Sequence, residues 1–279
     1  MLFDIKINNF EEKIEKLNLN TSWRQTASTL YKKPSDSKIL GSVEIDVTDL
    51  ETYIAKRRKE GVKITLTHFF MLATSRAIKK DVPELNTFVK RGTIYTFPTI
   101  NPAVSVLGAN GEMTSIVVKE SDKLTFETSV EALNEEIKKS RKGVESGTMQ
   151  LKEVVAKIPW PIRNWLYKIL KTVFVDWGIS IPFLGLKPHT FGSFMLSNIG
   201  TLGLDIGFPA LFPIANVSFV MIMGGVQLKP WVVNGEVVPR RVITLGAALD
   251  HRVVDASHAG KLFKYLKFAV KNPEVFEKN

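Results

Sequence analysis

The chain holds four histidines in 279 residues, and one of them, His251, stands in the stretch LDHRVVDAS between Asp250, Arg252 and Asp255. An imidazole titrates at about 6.5 in model peptides, so near neutrality it is mostly uncharged and able to accept a proton. The apolar run Leu245–Leu249 precedes it and an amphipathic stretch follows, which places it where a strand meets a helix. Rigid elements on both sides would hold such a ring in a cleft. A lone histidine is more commonly structural; its position and charged neighbours make this one the leading candidate for general-base work. His68 and His189 are isolated and His258 falls on the following helix. No second histidine stands at ligand spacing, so no metal site is expected.

Residue types exclude several other chemistries. Without cysteine there is no thiol nucleophile, thiolate zinc site or disulfide framework, which fits a reducing compartment. No G-x-S-x-G, H-E-x-x-H, Walker-type glycine loop or G-x-G-x-x-G occurs. Gly200, Gly203 and Gly207 lack dinucleotide spacing and read as backbone turns. The net charge of +10 favours anionic partners such as nucleotides, phosphates or lipid headgroups. Its clusters, such as Lys56-Arg57-Arg58-Lys59, fall in expected helices where a solvated face explains them, and aromatics do not alternate with them. Nucleic acid is therefore not expected. The N-terminus lacks a secretory pattern and no apolar run reaches the roughly 18 residues of a membrane span, so a cytoplasmic location is expected.

The elements that must position His251 alternate between strand and helix. Val43, Ile45 and Val47 alternate with polar residues as a half-buried strand. Thr48-Asp49-Leu50-Glu51 fits a capping box and predicts a helix running to Lys59, stopped by Gly61. A second helix is predicted over Thr65 to Lys80 and a third over Glu127 to Lys142, with short strands around Gly92–Phe97, Ala103–Leu107 and Ser115–Lys119. From Thr190 onward strands dominate: FGSFMLSNIG, the almost continuously apolar VSFVMIMGGV, and a hairpin turning at Asn234-Gly235. A last helix starts at about Asp255. The parts interleave, so residues 1–279 read as a single mixed α/β domain.

Residues 151–188 differ. The stretch from Lys157 to Pro188 holds four of the thirteen prolines and three of the five tryptophans. Trp165, Ile169, Val173 and Trp177 recur every fourth position, an amphipathic helix with Lys168 and Lys171 off the stripe. It reads either as a helical insertion packing on the domain or a neighbouring subunit, or as a membrane-surface or partner-docking helix over 160–177.

Asp250-His251-Arg252-Val253-Val254-Asp255 resembles the D-H-R-x-x-D-G signature of the catalytic domain of the dihydrolipoyl acyltransferases of 2-oxoacid dehydrogenase complexes. Phe194-Met195-Leu196-Ser197-Asn198-Ile199-Gly200 is similar to that family's T-I-S-N-[LI]-G turn. The hairpin KPWVVNGEVVPRRVITLGAALDHR, the helix ending in Pro83-Glu84-Leu85-Asn86 and, more loosely, Trp23-Arg24-Gln25-Thr26-Ala27 resemble family segments in the same order. The resemblance covers roughly residues 20–148 and 190–272. It implies a chloramphenicol acetyltransferase-like two-layer fold, a mixed β-sheet covered by helices, in a trimer whose neighbouring subunits share each site.

By that resemblance His251 is the base that takes the proton of coenzyme A or of an acceptor thiol such as dihydrolipoamide. The thiol's ordinary pKa exceeds the base's by about 2 units, or about 2.7 kcal/mol, which positioning must offset. Ser197 is the hydroxyl that hydrogen-bonds the tetrahedral oxyanion. Asp255 braces the site's loop, through an ion pair with Arg24; Asn198, Asp250 and Arg252 support the site, and Lys119 stands where the family more often has an arginine near coenzyme A. Coenzyme A is then a substrate, with no metal and no lipoyl group carried covalently on this chain. The family's glycine after the aspartate is Ala256 here, and no lipoyl or subunit-binding domain is recognised. A lipoyl group would arrive on a separate protein, or the acceptor is a small molecule. Two further readings are a catalytically silent trimeric scaffold that docks to a membrane or partner, and an acetyltransferase acting on a small-molecule hydroxyl.

Overall fold

A computed structural model describes residues 37–107, 113–141, 159, 162–180, 191–212 and 215–278. All the described residues fall in one compact unit, Ser37–Asn279. Arg24 and His189 lie outside them.

Strand β1 (Lys38–Asp46) leads into helices α1 (Thr48–Lys59) and α2 (Leu66–Lys80). A small hairpin follows, β2 (Thr87–Lys90) with β3 (Thr93–Thr96), then β4 (Pro102–Leu107), β5 (Met113–Val117) and α3 (Phe126–Arg141). After α4 (Ile162–Lys171) come β6 (Phe194–Asn198), the long pair β7 (Phe219–Val233) and β8 (Glu236–Asp250), and α5 (Ala256–Lys271). Six strands form one sheet in the order β1-β8-β7-β6-β4-β5, with β6 parallel to both its neighbours and the other pairs antiparallel. This is the mixed sheet with a helical layer that the resemblance implied.

Strand side chains alternate between the two faces of a sheet, and here the alternation sorts them cleanly. Ile45, Phe194, Leu196, Phe219, Met221, Met223, Leu245, Ala247 and Leu249 join one core with residues of α1, α2, α3 and α5. Helix α2 lies at its centre: Phe69 and Phe70 are fully buried, and even His68, Thr74 and Ser75 are enclosed. On the opposite face Met195 and Val220 belong to a separate small cluster with Ala215 and Val217.

Backbone, not side chains, covers part of that second face. A β-carbon added to Gly246 on β8 would lie 2.0 Å from the Gly207 carbonyl oxygen, and one added to Gly224 on β7 would lie 1.9 Å from that of Asp205. The segment after β6 thus crosses the sheet where only glycine leaves room. Of the three glycines expected to serve turns, Gly203 does so at φ +80°. Gly200 is instead required by the backbone of residues 224 and 225, less than 3 Å from where its β-carbon would stand.

Two local expectations are corrected. Thr48 does not cap α1 in a capping box; the helix takes it in, and the Asp46 carboxylate accepts from the Thr48 N–H at 3.0 Å and hydroxyl at 2.7 Å. Aspartate two residues earlier does the same work because β8 holds Thr48 from the other side: its hydroxyl accepts from the Arg241 N–H at 2.8 Å. The Trp165–Trp177 stripe is not one α-helix, since α4 ends at Lys171 and a wider π-type turn carries the chain over Thr172–Asp176. Val175 is buried there and the Asp176 carbonyl accepts from the Arg91 N–H at 2.8 Å, so packing on the β2–β3 hairpin ends the regular helix.

Gly246→Ala is expected to destabilise the protein by about 1–3 kcal/mol, because two backbones must part. Gly260→Ala on α5, where a β-carbon meets nothing, is expected to stabilise by about 0.5–1 kcal/mol. Urea unfolding of the two variants checks the contrast.

Candidate active site

His251 follows the last residue of β8, and the ladder holds it there. The Asp250 N–H donates to the Ser218 carbonyl at 2.9 Å on one side and the His251 N–H to the Ser37 carbonyl at 2.7 Å on the other. The chain then turns, with the Val253 and Val254 N–H groups both donating to the Asp250 carbonyl at 3.0 Å. The side chain of Asp250 completes the turn. It accepts from the Arg252 backbone N–H at 3.0 Å and the Ser37 hydroxyl at 3.2 Å, and grips the Arg252 guanidinium at 2.5 to 3.0 Å. Burial by itself would raise the Asp250 pKa, but the Arg252 hydrogen bonds and charge, helped by Ser37, outweigh it and hold the carboxyl below its ordinary 3.8. Asp250 and Arg252 thus brace the histidine turn.

His251 is an exposed residue at this turn, and its Nδ1 lies 3.0 Å from the Val254 carbonyl oxygen. A carbonyl can only accept, so Nδ1 carries the proton in that bond. Nε2 then bears the free lone pair, the state a proton acceptor requires. His68 is a poor alternative: it is buried, its Nδ1 is 2.8 Å from the Thr65 hydroxyl, and burial lowers its pKa to about 4.

Asp255 caps α5. Its carboxylate accepts from the Ser257 N–H at 2.8 Å and lies 3.0 Å from Nδ1 of His258, one turn along. Hydrogen bonds from the Ser257 hydroxyl and N–H, with His258, hold its pKa at about 2. The other partner expected for it, Arg24, lies outside the described residues.

Ser197 and Asn198 end β6, and the sheet turns them to opposite faces. Asn198 points with Leu196 toward the helices, where its amide donates to the Thr67 hydroxyl at 3.2 Å. It lines a cavity of about 550 Å³ with Thr65, Thr67, Glu51 and Arg58. Ser197 points with Met195 to the second face.

Within one chain His251 and Ser197 are not brought together. Ser197 pairs with Ile222 on β7, which pairs with Gly246 on β8. Asp250 is four residues further along β8, roughly 13 Å, and β8 lies two strands from β6, roughly 10 Å sideways. Lys119 is an exposed side chain just past β5, at the far edge of the sheet from β8. Three contributors were not anticipated: Ser37, the Val254 carbonyl and Thr67. Backbone acceptors leave no signature in residue type. Gly224 and Gly246 signal a close approach, as glycines inside strands do.

The family model for the 2-oxoacid dehydrogenases acyltransferase (catalytic domain) matches residues 11–155 and 185–277. The chain belongs to this family. Residues between 155 and 185 stay unmatched. A succinyltransferase component of the 2-oxoglutarate dehydrogenase complex from Arabidopsis thaliana is 23% identical over 236 residues, which is 83% of this chain and 42% of that protein. The acetyltransferase component of the pyruvate dehydrogenase complex from Acholeplasma laidlawii is 29% identical over 93 residues, 33% of this chain and 16% of that protein. The chain therefore spans less than half the length of these two relatives. A probable dihydrolipoamide acetyltransferase from Listeria monocytogenes shares the fold with a TM-score of 0.62 at 18% identity, covering 92% of this chain and 94% of that one. A truncated 2-oxoacid dehydrogenase catalytic core from Thermoplasma acidophilum gives 0.60 at 16% identity, covering 92% and 98%. Among the described residues no cluster of side chains could hold a metal ion, and no helix is long and apolar enough to cross a membrane.

Asp250→Asn is expected to cost about 1–3 kcal/mol near neutral pH, since the Arg252 contacts weaken. The folded pKa lies below the ordinary 3.8, so this stabilisation is complete above that value and is lost as the pH falls through the depressed one. The stability gap between wild type and variant should close below pH 3.8. Denaturant midpoints measured along a pH series read it directly.

Proposed function

We propose that the protein transfers an acyl group between coenzyme A and an acceptor thiol, with His251 as general base and Ser197 as oxyanion donor from different subunits of a homotrimer. The observation that carries the reading is the state of His251, an exposed residue whose ring is fixed through Nδ1 to a carbonyl, which leaves the lone pair on Nε2. Family membership supports the chemical class. In the acetyltransferase of Azotobacter vinelandii, a serine, a histidine and an asparagine four positions beyond that histidine are named for a role in the catalytic mechanism. Ser197, His251 and Asp255 follow in that order here, with an aspartate in the last place.

The reaction balances with groups drawn from two neighbouring chains. Nε2 of His251 takes the proton of the attacking thiol as its sulfur bonds to the thioester carbonyl carbon. The carbonyl oxygen becomes an oxyanion, to which the Ser197 hydroxyl donates. The intermediate collapses by breaking the bond to the departing sulfur, which recovers the proton from Nε2. No acyl-enzyme is formed. Asp250, Arg252 and the Asp255 cap hold the histidine turn, and Asn198 shapes the helix-side end of β6. Arg24 and Lys119 are assigned to bracing the loop and to the phosphates of coenzyme A. The two-residue site explains why each chain needs a neighbour: one supplies the histidine end of its sheet, the other the serine end. The acceptor is a dihydrolipoyl group carried on another protein or a free small thiol, and the setting is the cytoplasm.

Thiol release from acetyl-coenzyme A with dihydrolipoamide as acceptor is expected to fall about 10²–10⁴-fold in His251→Ala. In Ser197→Ala the expected fall is about 10²–10³-fold. Mixing the two inactive variants through dissociation and reassembly should restore a fraction of turnover, because some interfaces pair an intact histidine with an intact serine. No turnover by wild type with thiol, hydroxyl or amine acceptors would instead favour a silent scaffold, and turnover with hydroxyls alone an O-acetyltransferase.

A further inference from the structure

We propose that α4 and the turn after it form a docking surface for an anionic lipid layer, lying in its plane. Ile162, Trp165 and Ile169 are 57%, 66% and 38% exposed. At 100° per residue they fall within about a 60° arc of the helix. Trp177 and Ile179 extend this apolar surface past the turn, 48% and 40% exposed. The base of the unit is fixed. Val175 is buried, the Asp176 carbonyl takes the Arg91 N–H at 2.8 Å, and Lys171 pairs with the Asp176 carboxylate at 2.9 Å. An apolar stripe is thus held open on an anchored support, at a cost in hydration that a partner surface would remove.

Charge decides the occupant. From Val154 to Ile179 the sequence carries Lys157, Arg163, Lys168 and Lys171 against a single acidic residue, Asp176, which pairs with Lys171. A second copy docking through the same face would bring like charges together, in a chain of net charge +10. Anionic headgroups complement them. Tryptophan and isoleucine on one side with lysine beside them is the composition of a helix that lies at a lipid interface. At 10 residues the helix is about 15 Å long, too short to span a bilayer. The segment also lies between residues 155 and 185, outside the part that matches the acyltransferase family. The shared catalytic core therefore does not account for it.

Co-sedimentation of the full chain with vesicles tests this, using phosphatidylcholine alone and mixed with phosphatidylserine. Binding is expected only to the mixed vesicles, weakening as salt rises. Lys168→Glu is expected to weaken it roughly tenfold or more. Trp165→Ser should weaken it as well, while Leu228→Ser, an equally exposed apolar side chain on β7, should not. Thermal melts of each variant exclude misfolding as the cause. Equal binding to both vesicle types, no binding at low salt, or binding indifferent to Trp165 and Lys168 overturns the proposal. Loss of self-association in Trp165→Ser without vesicle binding would assign the face to another copy and overturn it too.

Discussion

The grip on the last rung of β8 is the constraint from which the rest of the site follows. Asp250 donates its N–H to Ser218 on the β7 side, and His251 donates to Ser37 on the β1 side. A strand end held from both sides cannot fray, so the histidine leaves a rigid edge rather than a loop. The Asp250 carboxylate then spends its acceptors on Arg252 and Ser37, which closes the turn and lets the ring reach the Val254 carbonyl. The two carboxylates beside His251 are thereby structural: one ties the turn and the other starts α5. Neither carboxylate hydrogen-bonds the imidazole, and the protonated nitrogen is set by a neutral carbonyl, that of Val254 at 3.0 Å.

Sheet geometry imposes the second condition. The same ladder that fixes His251 fixes Ser197 on a rung five residues away and two strands across, and no side-chain motion closes that gap. A sheet of paired strands is stiff along this direction. The register thus keeps the two residues apart within one chain, and the proposed pairing of a base with an oxyanion donor needs them from two chains.

Much of this was legible in sequence, and the gaps have physical causes. Asn234-Gly235 turns the hairpin as expected, with Asn234 at φ +52° and Gly235 at φ +89°, because few residues accept that conformation. Helix α2 and the apolar β7 declared themselves by the spacing of their large side chains. The β2 strand did not: TFVK is short, and it forms only because β3 pairs with it. The start of α1 departs from the capping box because the Thr48 hydroxyl accepts from the Arg241 N–H, distant in sequence, and the Glu51 N–H donates to the Val47 carbonyl instead. The candidate residues Ser197, Asn198, His251 and Asp255 were visible as types in order. Their faces, and the carbonyls that hold them, depend on tertiary register.

The two faces of the sheet divide the labour, and the division shows in side-chain volume. Positions 219, 221 and 223 on β7 and 245, 247 and 249 on β8 carry phenylalanine, methionine, leucine and alanine against the helices. The intervening Gly246 and Ala248 are small, and backbone from Gly207 lies directly on the former. Small residues there let a covering segment run close to the strands beside the rung of Ser197, while the exposed Leu202, Leu204, Ile206 and Phe208 of that segment point away from the helical core. Bulk on the helical face sets stability. On the other face the absence of bulk sets how closely the chain's own covering segment lies on the strands beside Ser197, and a larger residue at 246 would force that segment off the sheet.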